Sequence, residues 1–333
     1  MNIELTLRSD TAIDTSPENI YVVNNLAYIF STCWQNVTPI PTLQIYDVTN
    51  QKLPVHKSTT NLDPESRIMF FDSGYIYITS YLGGLGTNSL FIYDVSNPNL
   101  PFLLGSLVLE ESTSDLIVAG NFAYLVRVNG NPIVIDITNK YNPICVGEML
   151  LPIYSQPGML IISGDYLYCF GGNLDTLDIY NISDKFFPAL ISSTLVGSPL
   201  QGMIKHLNFI VIFESSGNKL HVCDVTSNFA PILLNTISLD NVNALSIVGN
   251  FMYVASLTTN IFSVYDISDI LNITLKNTLN CGVDTYQISS VSRFSYLVNA
   301  TSNNLQIFEL TTKHSPATMQ LCNFHSPINS LGI

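Results

Sequence analysis

Charge is what this sequence has least of. The chain of 333 residues carries 12 Lys and Arg against 25 Asp and Glu, so that charged residues make up 11% of it and the formal net charge is −13. A soluble domain is on average about a quarter charged, and a negatively charged chain repels phosphate backbones and anionic lipid headgroups. We therefore expect no direct contact with nucleic acid.

Long hydrophobic runs and helical periodicity are also missing. The longest apolar stretches, such as Met159 to Ile162 and Phe209 to Phe213, have the length of a strand, far below the roughly 18 residues of a transmembrane helix. The first eight residues alternate polar and apolar side chains and contain no signal-peptide core. These absences predict a protein without a membrane span and with an intracellular location.

Motifs that bind metals or perform catalysis are absent as well. The six cysteines include no C-x-x-C pair, the five histidines show no metal-ligand spacing, and neither H-E-x-x-H nor G-x-S-x-G occurs. The glycine cluster at residues 83–86 precedes a strand, whereas a phosphate-binding loop leads into a helix. We expect Cys145, Cys169 and Cys223 to be reduced side chains inside apolar strands, and we predict no cofactor, no metal and no catalytic residue.

Against these absences stands one feature that recurs seven times. An apolar strand ends in an acidic or amide residue, and seven positions later the chain has a proline in six copies and Ile273 in the other. The interval between copies is roughly that of a propeller blade. The residues at the strand ends are Asp47, Asp94, Asp136, Asn181, Asp224, Asp266 and Glu309.

The third copy shows the content of one repeat. Four apolar runs are separated by turn signals, and the runs are Leu116 to Ala119, Ala123 to Val128, Ile133 to Ile137 and Ile144 to Met149. Runs that are apolar on both faces suit a sheet packed between two neighbouring sheets. Radial repetition of four-stranded sheets satisfies this requirement. The sequence therefore predicts an all-β fold, a seven-bladed β-propeller of four-stranded antiparallel blades.

The phase of the repeat sets the blade boundaries within a single domain, residues 1–333. We expect blades at approximately 18–63, 64–112, 113–154, 155–198, 199–240, 241–283 and 284–325. Residues 1–17 and 326–333 are left over, and Ile3 to Arg8 has the pattern of a blade's last strand. We expect these terminal segments to close the ring by joining the first and last blades. The less favoured alternative is a defective eighth blade.

The third strands of most copies share a pattern, which Leu43 to Val48 and Leu90 to Val95 illustrate. With the Thr-Asn or Ser-Asn-Pro turn that follows and the later proline, this pattern resembles the LVIVD-repeat family of β-propellers over residues 18 to 325. The resemblance implies a propeller and, for most members of the family, no assigned catalysis.

Two sets of residues are candidates for a role in the fold or in recognition. The seven strand-end residues are placed to accept backbone N–H bonds in the following turn, and we interpret them as structural turn residues; a ring of carboxylates around a cation is the alternative. Trp34 lies in the long loop of residues 31–41, and long loops on a rigid scaffold often carry recognition. Trp34, Tyr81 and Leu85 form the predicted contact patch, unless Trp34 fills a gap between blades.

Three functions from different classes fit these observations. We favour a non-catalytic scaffold or interaction platform whose weakly charged surface is covered by a protein partner or by copies of itself; a virus-particle subunit belongs to this class. The second is an enzyme with a site in the central funnel, where Arg67, Arg127, Lys205 and Arg293 would form a basic ring for an acidic ligand. The third is a carbohydrate-binding propeller that uses exposed aromatic side chains.

Overall fold

The fold consists of β-strands and the turns between them. The computed structural model describes residues 2–13, 16–32, 40–80, 88–128, 130–149, 157–171, 176–197, 200–214, 219–239, 242–256, 259–281 and 285–313. Their 28 strands form seven four-stranded antiparallel sheets, which confirms the predicted seven-bladed β-propeller. Within these ranges no helix has the length and apolar character needed to cross a membrane.

In each sheet the four strands lie side by side, with one strand nearest the axis of the ring and the last at its rim. The inner strands are β2 (Ser16–Val23), β6 (Ser66–Asp72), β10 (Thr113–Ala119), β14 (Pro157–Ser163), β18 (Leu200–His206), β22 (Val242–Val248) and β26 (Thr285–Val291). The second strands are β3 (Leu26–Thr32), β7 (Tyr75–Ser80), β11 (Phe122–Arg127), β15 (Tyr166–Gly171), β19 (Phe209–Glu214), β23 (Phe251–Ser256) and β27 (Phe294–Asn299). The third strands are β4 (Thr42–Asp47), β8 (Asn88–Asp94), β12 (Ile133–Asp136), β16 (Thr176–Asn181), β20 (Lys219–Asp224), β24 (Ile261–Asp266) and β28 (Asn304–Lys313). The outer strands are β5 (Val55–Asn61), β9 (Phe102–Leu109), β13 (Ile144–Glu148), β17 (Ala189–Leu195), β21 (Ile232–Ser238), β25 (Thr274–Asn280) and β1 (Asn2–Ala12).

The N-terminal strand β1 completes blade seven. It pairs with β28 in antiparallel register from Asn2 opposite Lys313 to Ala12 opposite Asn304. Its Leu5 is buried in the core that blades six and seven share. The segment containing Ile3 to Arg8, predicted to be a closing strand, is therefore the outer strand of the last blade. Residues 326–333 lie outside the described part of the chain.

The core is divided among the junctions between blades. Each of seven buried apolar clusters lies between two consecutive blades, and one of them joins blade seven to blade one. Ala27 and Ile29 of β3 face blade seven, whereas Tyr28 and Phe30 of the same strand face blade two. Because both faces of a strand are buried, the strands read as continuous apolar runs. Each buried aliphatic or aromatic side chain contributes about 1.5–3 kcal/mol to folding.

A second contact between blades recurs at the rim. The outer strands of blades one to six carry a β-bulge, and the residue after it faces the next blade, at the turn of blades two to six and at Ile3 of β1 in blade seven. Ser58 Oγ donates to the carbonyl oxygen of Pro98 at 2.7 Å. At Gly105 an added Cβ would lie 2.2 Å from the carbonyl oxygen of Lys140. The residues at this position are all small or polar: Ser58, Gly105, Gly147, Ser192, Asn235 and Asn277.

Candidate functional site

Six of the seven strand-end residues accept a hydrogen bond from the backbone two residues later. The Thr49 N–H donates to Asp47 Oδ1 at 3.0 Å and the Thr226 N–H donates to Asp224 Oδ1 at 2.7 Å. The same bond forms at Asp94, Asp136, Asn181 and Asp266, at distances between 2.8 and 2.9 Å. The hydrogen bonds of Thr49 lower the pKa of Asp47 to about 2. Each of these six side chains therefore serves its own turn.

A second turn residue, which was not predicted from the sequence, follows three positions later. Asn50 Oδ1 accepts the Lys52 N–H at 3.1 Å, and Asp184 Oδ1 accepts the Phe186 N–H at 2.9 Å. The equivalent bonds in blades two, three and six involve Asn97, Asn139 and Asp269, while blade five has Ser227 at this position. The signal was an Asx residue at a fixed distance from the strand end. In blades one to four and six, two consecutive Asx turns thus shape the link between the third and outer strands.

Glu309 has a different environment, since it lies inside β28, which continues to Lys313. Its carboxylate forms ion pairs with Arg8 of β1 and with Arg293, whose Nε lies 2.9 Å from Oε1. Arg8 occupies the bulge of β1, just as Lys57 occupies the bulge of β5 and pairs with Asp47 at 3.2 Å. The acid at this strand end therefore links β1 to the other strands of blade seven.

The turn residues give a first testable prediction. We expect Asp224→Ala to lower the free energy of unfolding by about 1 kcal/mol, because the Thr226 N–H loses its acceptor. Asp224→Asn is the matched control and is expected to be near neutral at pH 7, as Asn181 makes the same bond.

The contribution of Asp224 should also depend on pH. The hydrogen bonds of Thr226 lower the pKa of Asp224, so the stabilisation that its carboxylate provides is lost as the pH falls through the folded-state pKa. Urea unfolding at two pH values measures both effects; equal stability of the Ala and Asn variants would contradict the prediction.

One of the two predicted recognition sites lies outside the described residues, and the residues of the other are far apart. Trp34, Tyr81 and Leu85 all lie outside the described residues, so that the predicted contact patch stays a prediction. Arg67, near the start of inner strand β6, and Arg127, at the end of β11, lie toward one end of the ring. By contrast, Lys205, near the end of β18, and Arg293, in the turn after β26, lie toward the other end. The four cations therefore do not form a basic ring.

A large groove lies on the rim beside blade three. In this blade β12 has 4 residues and β13 has 5, whereas the neighbouring blade two has 7 and 8 at these places. Because the outer strands of blade three are short, Leu107, Val108 and Leu109 of β9 are left to line the groove. The result is a cavity of about 720 Å³ between the outer parts of blades two, three and four.

Apolar side chains form most of this surface, which we call the rim groove. Its lining residues are Leu107, Val108, Leu109, Glu110, Arg127, Ile133, Cys145, Val146, Gly147, Glu148, Phe186 and Phe187. Val108 is 67% exposed and Phe187 is 78% exposed, so both side chains are presented to solvent. Cys145 is an exposed free thiol on an edge strand, which corrects the expectation that it is enclosed.

The charged side chains of the rim groove lie at one end of it. Arg127 forms an ion pair with Glu148, and its Nε donates to the carbonyl oxygen of Asn131 at 2.6 Å. Glu110 is exposed beside them. One cation and two carboxylates leave this end with a net negative charge. The groove therefore combines an apolar floor with an acidic end.

A comparison with known protein families identifies the type of repeat in four segments of the chain. The family model of the LVIVD repeat matches residues 73–108, 111–150, 158–196 and 241–281. The chain contains LVIVD repeats. The matched LVIVD repeats lie in blades two, three, four and six. Each contains the second, third and outer strands of its blade, with the strand-end Asp or Asn at the end of the third strand. A comparison with curated proteins finds no match.

Solved structures resemble this LVIVD-repeat propeller in fold. The β-propeller domain of Cps50 (Swd1) from Myceliophteria thermophila has a TM-score of 0.72 and 9% identity, covering 92% of this chain and 100% of that one. The periplasmic gluconolactonase PpgL of Pseudomonas aeruginosa gives 0.69 and 13%, with 85% and 92% covered. Hydrazine synthase of Kuenenia stuttgartiensis gives 0.67 and 13%, with 89% and 96% covered. At such identities the likeness shows the fold alone.

Proposed function

We propose that this propeller is a non-catalytic interaction platform and that the rim groove is its docking site for a protein partner. The observation that carries the proposal is an apolar groove of about 720 Å³ with exposed Val108 and Phe187 at its edge. Exposed apolar surface of this kind is costly in water unless a partner covers it. The funnel enzyme, the carbohydrate-binding propeller and the virus-particle subunit stay predictions from the sequence.

The chemistry of the groove favours one kind of occupant, an extended peptide segment of a partner protein. The groove runs beside β13, which among the described strands pairs with β12 alone and so presents a strand edge. Strand edges accept extended segments through backbone hydrogen bonds, and adjoining pockets select the side chains. Glu110 and Glu148 lie at one end, and the whole chain carries a net charge of −13. We therefore expect a segment with several apolar side chains and at least one Lys or Arg.

Selection from a display library of random dodecapeptides tests this proposal directly. We expect the selected peptides to combine aromatic or aliphatic residues with a basic residue. Val108→Asp and Phe187→Asp should each weaken binding at least about tenfold, since a carboxylate in an apolar contact remains unpaired. Both side chains are exposed, so the substitutions should leave folding unchanged. Fluorescence anisotropy of labelled peptides measures the affinity.

Leu275→Asp is the matched control. Leu275 is 55% exposed on the outer strand β25 of blade six, far along the ring from the groove. This variant should bind the selected peptides as the unmodified chain does. Peptides whose affinity is the same for all three variants would place binding elsewhere. Failure to select any peptide would contradict the proposed peptide-docking site. A dimer that Phe187→Asp dissociates, as measured by light scattering, would show that the groove binds a second copy of the chain instead.

A further inference from the structure

The axis of the ring contains a cavity that the rim groove does not involve. Side chains from the inner strands of all seven blades surround a space of about 300 Å³. At the position that follows the inner-strand bulge, three of its residues are polar, Asn19, Asp115 and Gln287. This level lies near the end of the channel where the inner strands begin. We call Asp115, Asn19, Tyr21, Phe70 and Phe213 the channel site.

Asp115 places a carboxylate in the channel without a counter-charge. Its Oδ1 accepts the Leu116 N–H at 2.8 Å and its Oδ2 accepts the Leu160 N–H of the next blade at 2.6 Å. These bonds do not offset the loss of water, and burial raises the pKa of Asp115 to about 7. Among the described residues that line the cavity there is no Lys, Arg or His. Each carboxylate oxygen keeps a second lone pair for another donor.

Aromatic rings accompany this carboxylate. The rings of Tyr21 and Phe70 meet edge to face with centroids 5.8 Å apart. Phe213 reaches the channel over Gly202, where an added Cβ would lie 2.2 Å from the ring. Tyr21 is also electrostatically coupled to Asp115, whose negative charge adds to burial in raising the pKa of the phenol. Aromatic faces beside a carboxylate attract a cation.

A free acceptor lies in the same cavity. Asn19 Oδ1 is buried and has no hydrogen-bond partner within the described part of the chain, while Asn19 Nδ2 points toward the carbonyl oxygen of Met69 at 3.5 Å. A buried acceptor without a donor costs about 1–3 kcal/mol. A donor supplied by a bound molecule would remove this cost.

We propose that the channel site binds a small organic cation, an amine or quaternary ammonium compound with an apolar group. The nitrogen lies against the carboxylate of Asp115 and the aromatic rings, and in an amine an N–H donates to Asn19 Oδ1. A volume of about 300 Å³ is at the lower end of small-molecule sites. The net charge of −13 raises the concentration of cations near the channel.

Isothermal titration calorimetry with three probes of similar size tests the proposal. Phenethylamine and benzyltrimethylammonium are expected to bind, whereas the neutral 2-phenylethanol is not. Asp115→Asn should weaken amine binding at least about tenfold, the loss of a charge-assisted hydrogen bond. Asp178→Asn is the matched control, since Asp178 is also a buried carboxylate, with its pKa raised by burial and Ser193 Oγ as donor, but lies outside the channel.

The pH dependence of binding to the unmodified chain keeps the proposal testable if Asp115→Asn fails to fold. Tyr21 faces Asp115 from β2, and Glu18 and Arg67 lie at the bulges of β2 and β6 toward the same end. As the pH falls from about 7 to about 5, Asp115 takes up a proton while the amine stays charged, so affinity should fall up to about tenfold per pH unit. Equal binding of the alcohol, unchanged binding in Asp115→Asn, or no binding at millimolar concentration would each overturn it.

Discussion

Deletion of residues 1–13 is expected to leave a chain that does not fold into a stable ring. Without β1, the outer edge of β28 loses its partner along the register from Asn304 to Lys313, and the contacts of Leu5 and Ile13 with the core disappear. Glu309 also loses its ion pair with Arg8. The combined loss is comparable with the ~5–15 kcal/mol that stabilises a folded domain. Circular dichroism and size-exclusion chromatography of the soluble fraction measure the outcome.

A synthetic peptide supplies the control for this deletion. The peptide of residues 1–13, added in trans, should restore a folded ring and a cooperative thermal transition. The same peptide with Leu5→Asp should not, because a carboxylate at this buried position has no partner. A deletion variant that melts within a few degrees of the full chain would show that β1 is dispensable for closure.

Gly105→Ala is expected to lower the free energy of unfolding by about 3 kcal/mol or more. The added methyl group would lie 2.2 Å from the carbonyl oxygen of Lys140 and 2.9 Å from the Cα of Tyr141, so that the turn of blade three must move away from blade two. Overpacking against backbone atoms typically costs 1–3 kcal/mol and sometimes more. Urea unfolding followed by intrinsic fluorescence measures the difference.

Ser192→Ala provides the comparison at the equivalent position of blade four. Ser192 Oγ donates to the carbonyl oxygen of Asn228 at 2.8 Å, and its loss should cost about 1 kcal/mol. The glycine variant should therefore be the more destabilised of the two, although it adds only one carbon atom. Equal or reversed costs would show that the turn of blade three moves freely.

The fold could be predicted from the sequence because one pattern repeats in one phase. Apolar runs such as those in β3 and β7 face a neighbour on each side, and an Asx residue ends the third strand. The same pattern indicated that the N-terminal segment is a strand. It could not give the pairing of β1 with β28, because that contact depends on the closure of the whole ring.

The candidate sites were much less predictable. The second Asx position, as at Asn50 and Asp184, was present in the sequence and was overlooked. The rim groove depends on the difference in length between β9 and β13, a relation between two blades that no local pattern contains. Asp115 is one polar residue beside an apolar run, and only the register of the bulge places it in the channel.

The pairing of β1 with β28 also sets when the last blade can form during synthesis of the chain. Arg8 and Glu309, which meet in the finished molecule, are separated by 301 positions, and a ribosome adding roughly 5–20 residues per second needs about 15–60 s to cover that distance. For this interval β1 has no strand to pair with, while the six blades made after it can already assemble. The propeller thus becomes complete only when two strands made far apart in time meet.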